Sequence, residues 1–92
     1  MPPQAVKADT PIAIRRPRGK TVTFINQDVA VDVYLSEERG VLASNWTTGT
    51  GPNSGQGTKI PHGGTVFQWP SFPGLVWARA NTADTTNFEV TS

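Results

Sequence analysis

His62 is the one histidine in the chain, set between Pro61 and Gly63, and there is no cysteine. Acid–base or nucleophilic catalysis needs a partner held within hydrogen-bond reach. Nothing near His62 is spaced like a known triad or dyad, so it reads as an exposed turn residue. Metal binding fares no better. One His and no Cys leave an oxygen site, and a calcium loop needs several acids at short spacing. Glu37-Glu38 is an isolated pair on a turn, and Asp28 with Asp32 does not make that pattern. The glycine-rich run from Gly49 to Gly57 lacks the Gly-Lys-Ser/Thr ending of a phosphate loop, and no helical pattern follows it. The expectation is a protein that is not an enzyme, with no catalytic residue, no metal and no cofactor.

Two features suit binding instead. Arg15-Arg16-Pro17-Arg18-Gly19-Lys20 holds half of the eight Lys and Arg within six positions. A solvated edge is the plain reading; after it comes docking to an acidic protein surface. Nucleic acid ranks last, because the formal net charge is only +1 and no aromatics interleave with the cations. Trp46 opens the polar, glycine-rich stretch 44–58, where an exposed indole suits sugar stacking or a protein hot spot. Such a long loop in a small domain is usually functional or mobile. Trp69 and Trp77 fall in strand patterns, where those pointing inward fill a thin core.

The elements that must position these residues are strands. Thr21–Asn26 alternates. Val29, Val31, Val33 and Leu35 then share one face, against Ala30, Asp32 and Tyr34 on the wet one. Asn26-Gln27-Asp28 separates the two as a turn. Ser36–Gly40 reads as a charged turn and Val41-Leu42-Ala43 as a short strand. His62-Gly63-Gly64 turns into the strand Thr65–Trp69, and Pro73-Gly74 turns into Leu75–Ala80. Thr86–Thr91 closes the chain. Six to eight short strands with no amphipathic helix predict an all-β fold: a small antiparallel β-sandwich, Ig-like or jelly-roll-like, or a barrel. Residues 1–18 are expected as an extended N-terminal arm with a first edge segment at Ile12-Ala13-Ile14, because Pro2, Pro3, Pro11 and Pro17 discourage a central strand. Residues 19–92 are expected as the sandwich. No apolar run reaches the ~20 residues of a membrane span, and Met1-Pro2-Pro3-Gln4 lacks the charged and apolar regions of a signal peptide.

The order of motifs carries a resemblance. Thr21-Val22-Thr23-Phe24-Ile25-Asn26 followed by Val31-Asp32-Val33-Tyr34-Leu35-Ser36 resembles a hairpin of small virion structural proteins of tailed bacteriophages, of the capsid decoration or cement type. So do the segment Gly57–Val66, with its Pro61-His62-Gly63-Gly64 turn, the strand Pro73–Ala80 and the Thr-rich end. The resemblance spans about residues 20–92 and leaves the N-terminal segment unmatched. His62 departs from it, since such turns more often hold Pro or Ala. The resemblance implies a capsid-surface protein of the virion, with a major capsid protein or other virion protein as partner. It transfers no catalytic residue, and the expected assembly is a homo-oligomer, trimer or dimer. In that setting Arg15, Arg16, Arg18 and Lys20 are the expected partner contacts, with the arm reaching a neighbouring subunit. The alternative is a receptor- or glycan-binding module of a tail or head fibre, working through Trp46. Neither reading expects a membrane, and nucleic acid is the unlikely partner.

Overall fold

The computed structural model describes residues 4–8, 10–42, 58–81 and 83–92. Eight strands follow in chain order: β1 (Gln4–Val6), β2 (Ile12–Arg15), β3 (Val22–Asn26), β4 (Val33–Ser36), β5 (Thr58–Ile60), β6 (Thr65–Trp69), β7 (Leu75–Ala80) and β8 (Thr85–Thr91). They form two four-stranded sheets, β1-β8-β3-β6 and β2-β7-β4-β5, with every pairing antiparallel. The first strand pairs with the eighth, the second with the seventh, the third with the sixth and the fourth with the fifth. That is a long antiparallel ribbon rolled up so that successive rungs fall in alternate sheets. The order is a jelly roll, which selects one among the sandwich topologies the sequence left open.

Alternation builds the core between the sheets. Val22, Phe24, Phe88 and Val90 of one sheet meet Ile14, Val33, Leu35, Ile60, Val76, Ala78 and Ala80 of the other. Phe24 is the hub, with ring centroids 5.9–6.5 Å from Phe88, Phe72, Phe67 and Trp69. A cluster this aromatic compensates for the few aliphatic side chains a short chain can supply.

Five local expectations change. The described part of segment 1–18 is not an arm free of the body: β1 pairs with β8 and buries Val6, while β2 pairs with β7 as the expected edge strand and buries Ile14. Alternating apolar residues at Val6, Ile12 and Ile14 outweigh the described prolines, since Pro11 sits between β1 and β2 and Pro17 after β2 rather than in a strand. Val29 is 90% exposed, not in the valine face. Asp28 Oδ1 accepts the amides of Ala30 and Val31 at 2.9 Å each, so residues 28–31 turn and the alternation starts only after them. Val41 and Leu42 belong to a short 3₁₀ helix (Arg39–Leu42) rather than a strand, and Ala43 lies outside the described residues. That helix lies over the outer face of the second sheet, where Leu42 packs on Tyr34 and Trp77 and buries the tyrosine the alternation assigns to water. Finally, the predicted hairpin of β3 and β4 does not exist; the two strands lie in different sheets.

Candidate functional site: the basic end of the sandwich

The rolled ribbon sorts the connections by end. The β2–β3 and β6–β7 loops lie at one end of the sandwich, and the strands joined by 37–57, β4 and β5, finish and start there. The β1–β2, β3–β4, β5–β6 and β7–β8 connections lie at the other. Arg15, Arg16, Arg18 and Lys20 therefore all fall at one end.

The turn that carries them is fixed to the body. Gly19 N–H donates to Phe72 O and Phe72 N–H to Lys20 O, each at 2.9 Å, and Arg16 N–H donates to Gly74 O at 3.3 Å. Phe72 itself is fully buried, its ring 6.1 Å from Phe24 and 5.8 Å from Trp69. Phe72 thus ties the β2–β3 and β6–β7 loops to the aromatic hub, through its main-chain hydrogen bonds and its buried ring. Gly19, at φ 84°, supplies the left-handed conformation the turn needs.

The four cations divide into two roles. Arg16 folds back, its Nη1 donating to Arg15 O at 2.6 Å and its Nη2 reaching Val90 O at 3.5 Å, while Nε is buried without a partner. Arg15, Arg18 and Lys20 are exposed, and no carboxylate among the described residues pairs with them. Arg15 at the end of β2, with Arg18 and Lys20 on the anchored turn, puts three cations without a described carboxylate partner at one end, suited to carboxylates or other anions.

The opposite end is built the other way, with each described aspartate spent inside the protein. Asp32 Oδ1 lies 3.0 Å from the His62 amide and 2.7 Å from His62 Nδ1. Asn81 Oδ1 accepts the Asp32 amide at 3.1 Å, Asn81 N–H donates to Asp32 O at 3.0 Å, and Lys59 Nζ stands 3.6 Å from Oδ2. Burial pushes the Asp32 carboxyl up, but the His62 hydrogen bonds and the Lys59 and His62 charges outweigh it, leaving a net lowering. The carboxylate is then ionised at neutral pH and can only accept, so His62 Nδ1 carries the proton it shares. Asp28 is lowered by the Thr85 hydroxyl, at 2.5 Å, and by the Ala30 and Val31 amides. Asp84 is lowered chiefly by the Ala8 amide, with Lys7 adding to it. Each described aspartate ties its loop to another part of the chain.

His62 is exposed, as expected, yet it has the acidic partner that the sequence did not suggest. Thirty residues separate it from Asp32, and only the meeting of two loops at one end brings them together. Trp46 and residues 44–57 lie outside the described residues. Trp69 faces inward beside Phe24, whereas Trp77 lies on the outer face of the second sheet with Arg39 stacked 5.7 Å from its ring. Comparison of the chain with protein-family models, with curated proteins and with solved structures returns no match.

Proposed function

We propose that the protein is a virion structural protein that docks on a capsid shell of a tailed bacteriophage and stabilises it. The observation that carries this reading is the charge pattern: one end presents exposed Arg15, at the end of β2, and Arg18 and Lys20, on a turn anchored by Phe72, none with a carboxylate partner among the described residues. At the other end, the described aspartates are satisfied internally. An end that leaves Arg15, Arg18 and Lys20 without a carboxylate among the described residues is suited to a carboxylate-bearing partner surface. Motif order over about residues 20–92 supports a shell as that partner, and viral capsid domains are among the users of the jelly roll.

The docking mechanism differs from arm capture. Because β1 and β2 are part of the sheets, the contact is made by a pre-organised turn, so little chain entropy is lost on binding. Each exposed ion pair contributes only about 0.2–1 kcal/mol, so stable occupancy relies on several contacts repeated across a lattice. The test mixes purified protein with capsid shells that lack it and follows co-sedimentation, shell heat resistance and cryo-electron microscopy. Binding is expected, weakening as salt rises through the physiological range, and is abolished by Arg15→Glu/Arg18→Glu/Lys20→Glu. Bare shells with the unaltered protein, or undiminished binding of the triple variant, would overturn the proposal.

A further inference from the structure

The four edges of the two sheets are not alike. β1 is three residues long, and its register slips between Gln4 and Val6. β2 carries Arg15 and has Pro11 before it and Pro17 beyond it. β5 is three residues long, carries Lys59 and runs into Pro61. Shortness, irregular register, charge and proline are the devices that stop an edge from pairing with another chain. β6 has none of them within its span, though Pro70 follows it directly. Thr65–Trp69 keeps five residues in unbroken register with β3, without a charge or a proline. Among the described residues, no strand pairs with its far side.

Packing separates β6 from the other edges a second time. Each of those seals an inward side chain within the protomer: Val6 at 0% exposure, Ile14 at 1% and Ile60 at 0%. The inward residues of β6, Thr65, Phe67 and Trp69, are all left half-buried, although both rings stand in the aromatic cluster. On its outward side Val66 is 56% exposed.

We propose that β6 is a homodimer edge, on which a second copy lays its own β6 antiparallel across a two-fold axis to make one continuous eight-stranded sheet. The sequence of the strand is what selects a second copy as the occupant. With the axis at Phe67, that residue faces its own mate, Thr65 faces Trp69 of the partner subunit, and Val66 faces Gln68 of the partner subunit. No like charges meet, and each pairing sets an apolar or aromatic group against a neutral one. The half-covered Phe67 and Trp69 of each copy gain the missing wall. A two-fold contact of this kind closes at two subunits. Five residues a side is a small interface, so the association belongs to the weak class. This inference stands apart from the capsid reading, and its test needs no capsid.

Sedimentation equilibrium of the full chain, from about 1 µM to about 1 mM, covers the range of weak protein pairs. The unaltered protein is expected to pass from monomer to dimer within it. V66K/Q68K sets lysine against lysine twice across the axis and should weaken the dimer at least ~10-fold. V66K/Q68E sets lysine against glutamate in the same places and should restore it. Both positions face outward, so thermal melting at low concentration should show both variants folded. A monomer throughout the range, a trimer, a dimer indifferent to V66K/Q68K, or failure of V66K/Q68E to restore it would each overturn the proposal.

Discussion

Replacing Asn26 by Ala should unsettle this fold more than most single changes. Asn26 ends β3 and is fully buried. Its Nδ2 donates to Val31 O and to Ile60 O, both at 2.9 Å, and its Oδ1 accepts the Asp28 amide at 3.2 Å. Ile60 belongs to the other sheet, so this one amide fastens the two layers and the β3–β4 turn together. Three hydrogen bonds at about 0.5–1.5 kcal/mol each give a loss of about 1.5–4.5 kcal/mol. A domain of this length holds only roughly 5–14 kcal/mol in all. At about 4–8 °C per kcal/mol, a mid-range loss of about 3 kcal/mol lowers Tm by roughly 12–24 °C. Circular dichroism melts and urea titration read by tryptophan fluorescence measure it. Asn26→Asp sharpens the test, because it keeps the acceptor and loses both donors. At neutral pH it sets a carboxylate against two carbonyls and should be at least as harmful. Its deficit should shrink in acid, where the protonated carboxyl regains one donor. A loss below about 1 kcal/mol for Asn26→Ala, or an Asn26→Asp protein as stable as the unaltered one at pH 7, would refute the reasoning.

Two further perturbations follow from the same contacts. Phe72→Ala empties the core beneath the basic turn and should cost about 3–5 kcal/mol in urea unfolding; a cost under 1.5 kcal/mol would mean that the ring does not anchor that end. Acid should also unfold the protein through its aspartates. Asp28, Asp32 and Asp84 have lowered folded-state pKa values. Their contribution is therefore complete above the ordinary carboxylate range near 4 and is lost as pH falls through the lowered values. Asp32→Asn should flatten the acid limb of a stability–pH curve, and an unchanged slope would count against the loop-tying role of Asp32.

The strands were legible because period two is a local signal. β3, β6, β7 and β8 fall within a residue of where alternation puts them. What the sequence could not show is anything decided by partners far along the chain. Val29 continues the valine alternation in sequence, yet the Asp28 side chain captures the next amides and turns the chain there. Asn26 reads as a turn residue because its two carbonyl partners lie five and thirty-four positions away. Phe72, between Pro70 and Pro73, looks like part of a turn, and only the convergence of two loops makes it an anchor. Strand order was equally hidden, since alternation tells which face is buried and not which strand lies beside which. The basic cluster was visible as composition; its rigidity was not.

The two proposed surfaces, taken together, imply a particular shape of contact. In each copy β6 runs toward the basic end, because it leads into the loop that Phe72 anchors. Antiparallel pairing of two β6 strands therefore sends the two basic ends in opposite directions. A monomer docked through Arg15, Arg18 and Lys20 can only cap one subunit of a shell. A dimer lying along the shell reaches two subunits at once, and the second contact forms at the high effective concentration that the first contact sets. Stabilising a junction requires that second contact, since a ligand held by one subunit alone adds nothing across the seam. The two sets of variants should consequently fail in different ways. Reversing the charges removes binding altogether, whereas V66K/Q68K should leave weak, salt-sensitive binding while the gain in shell heat resistance disappears. Full heat protection by a strictly monomeric variant would detach the edge from the stabilising role.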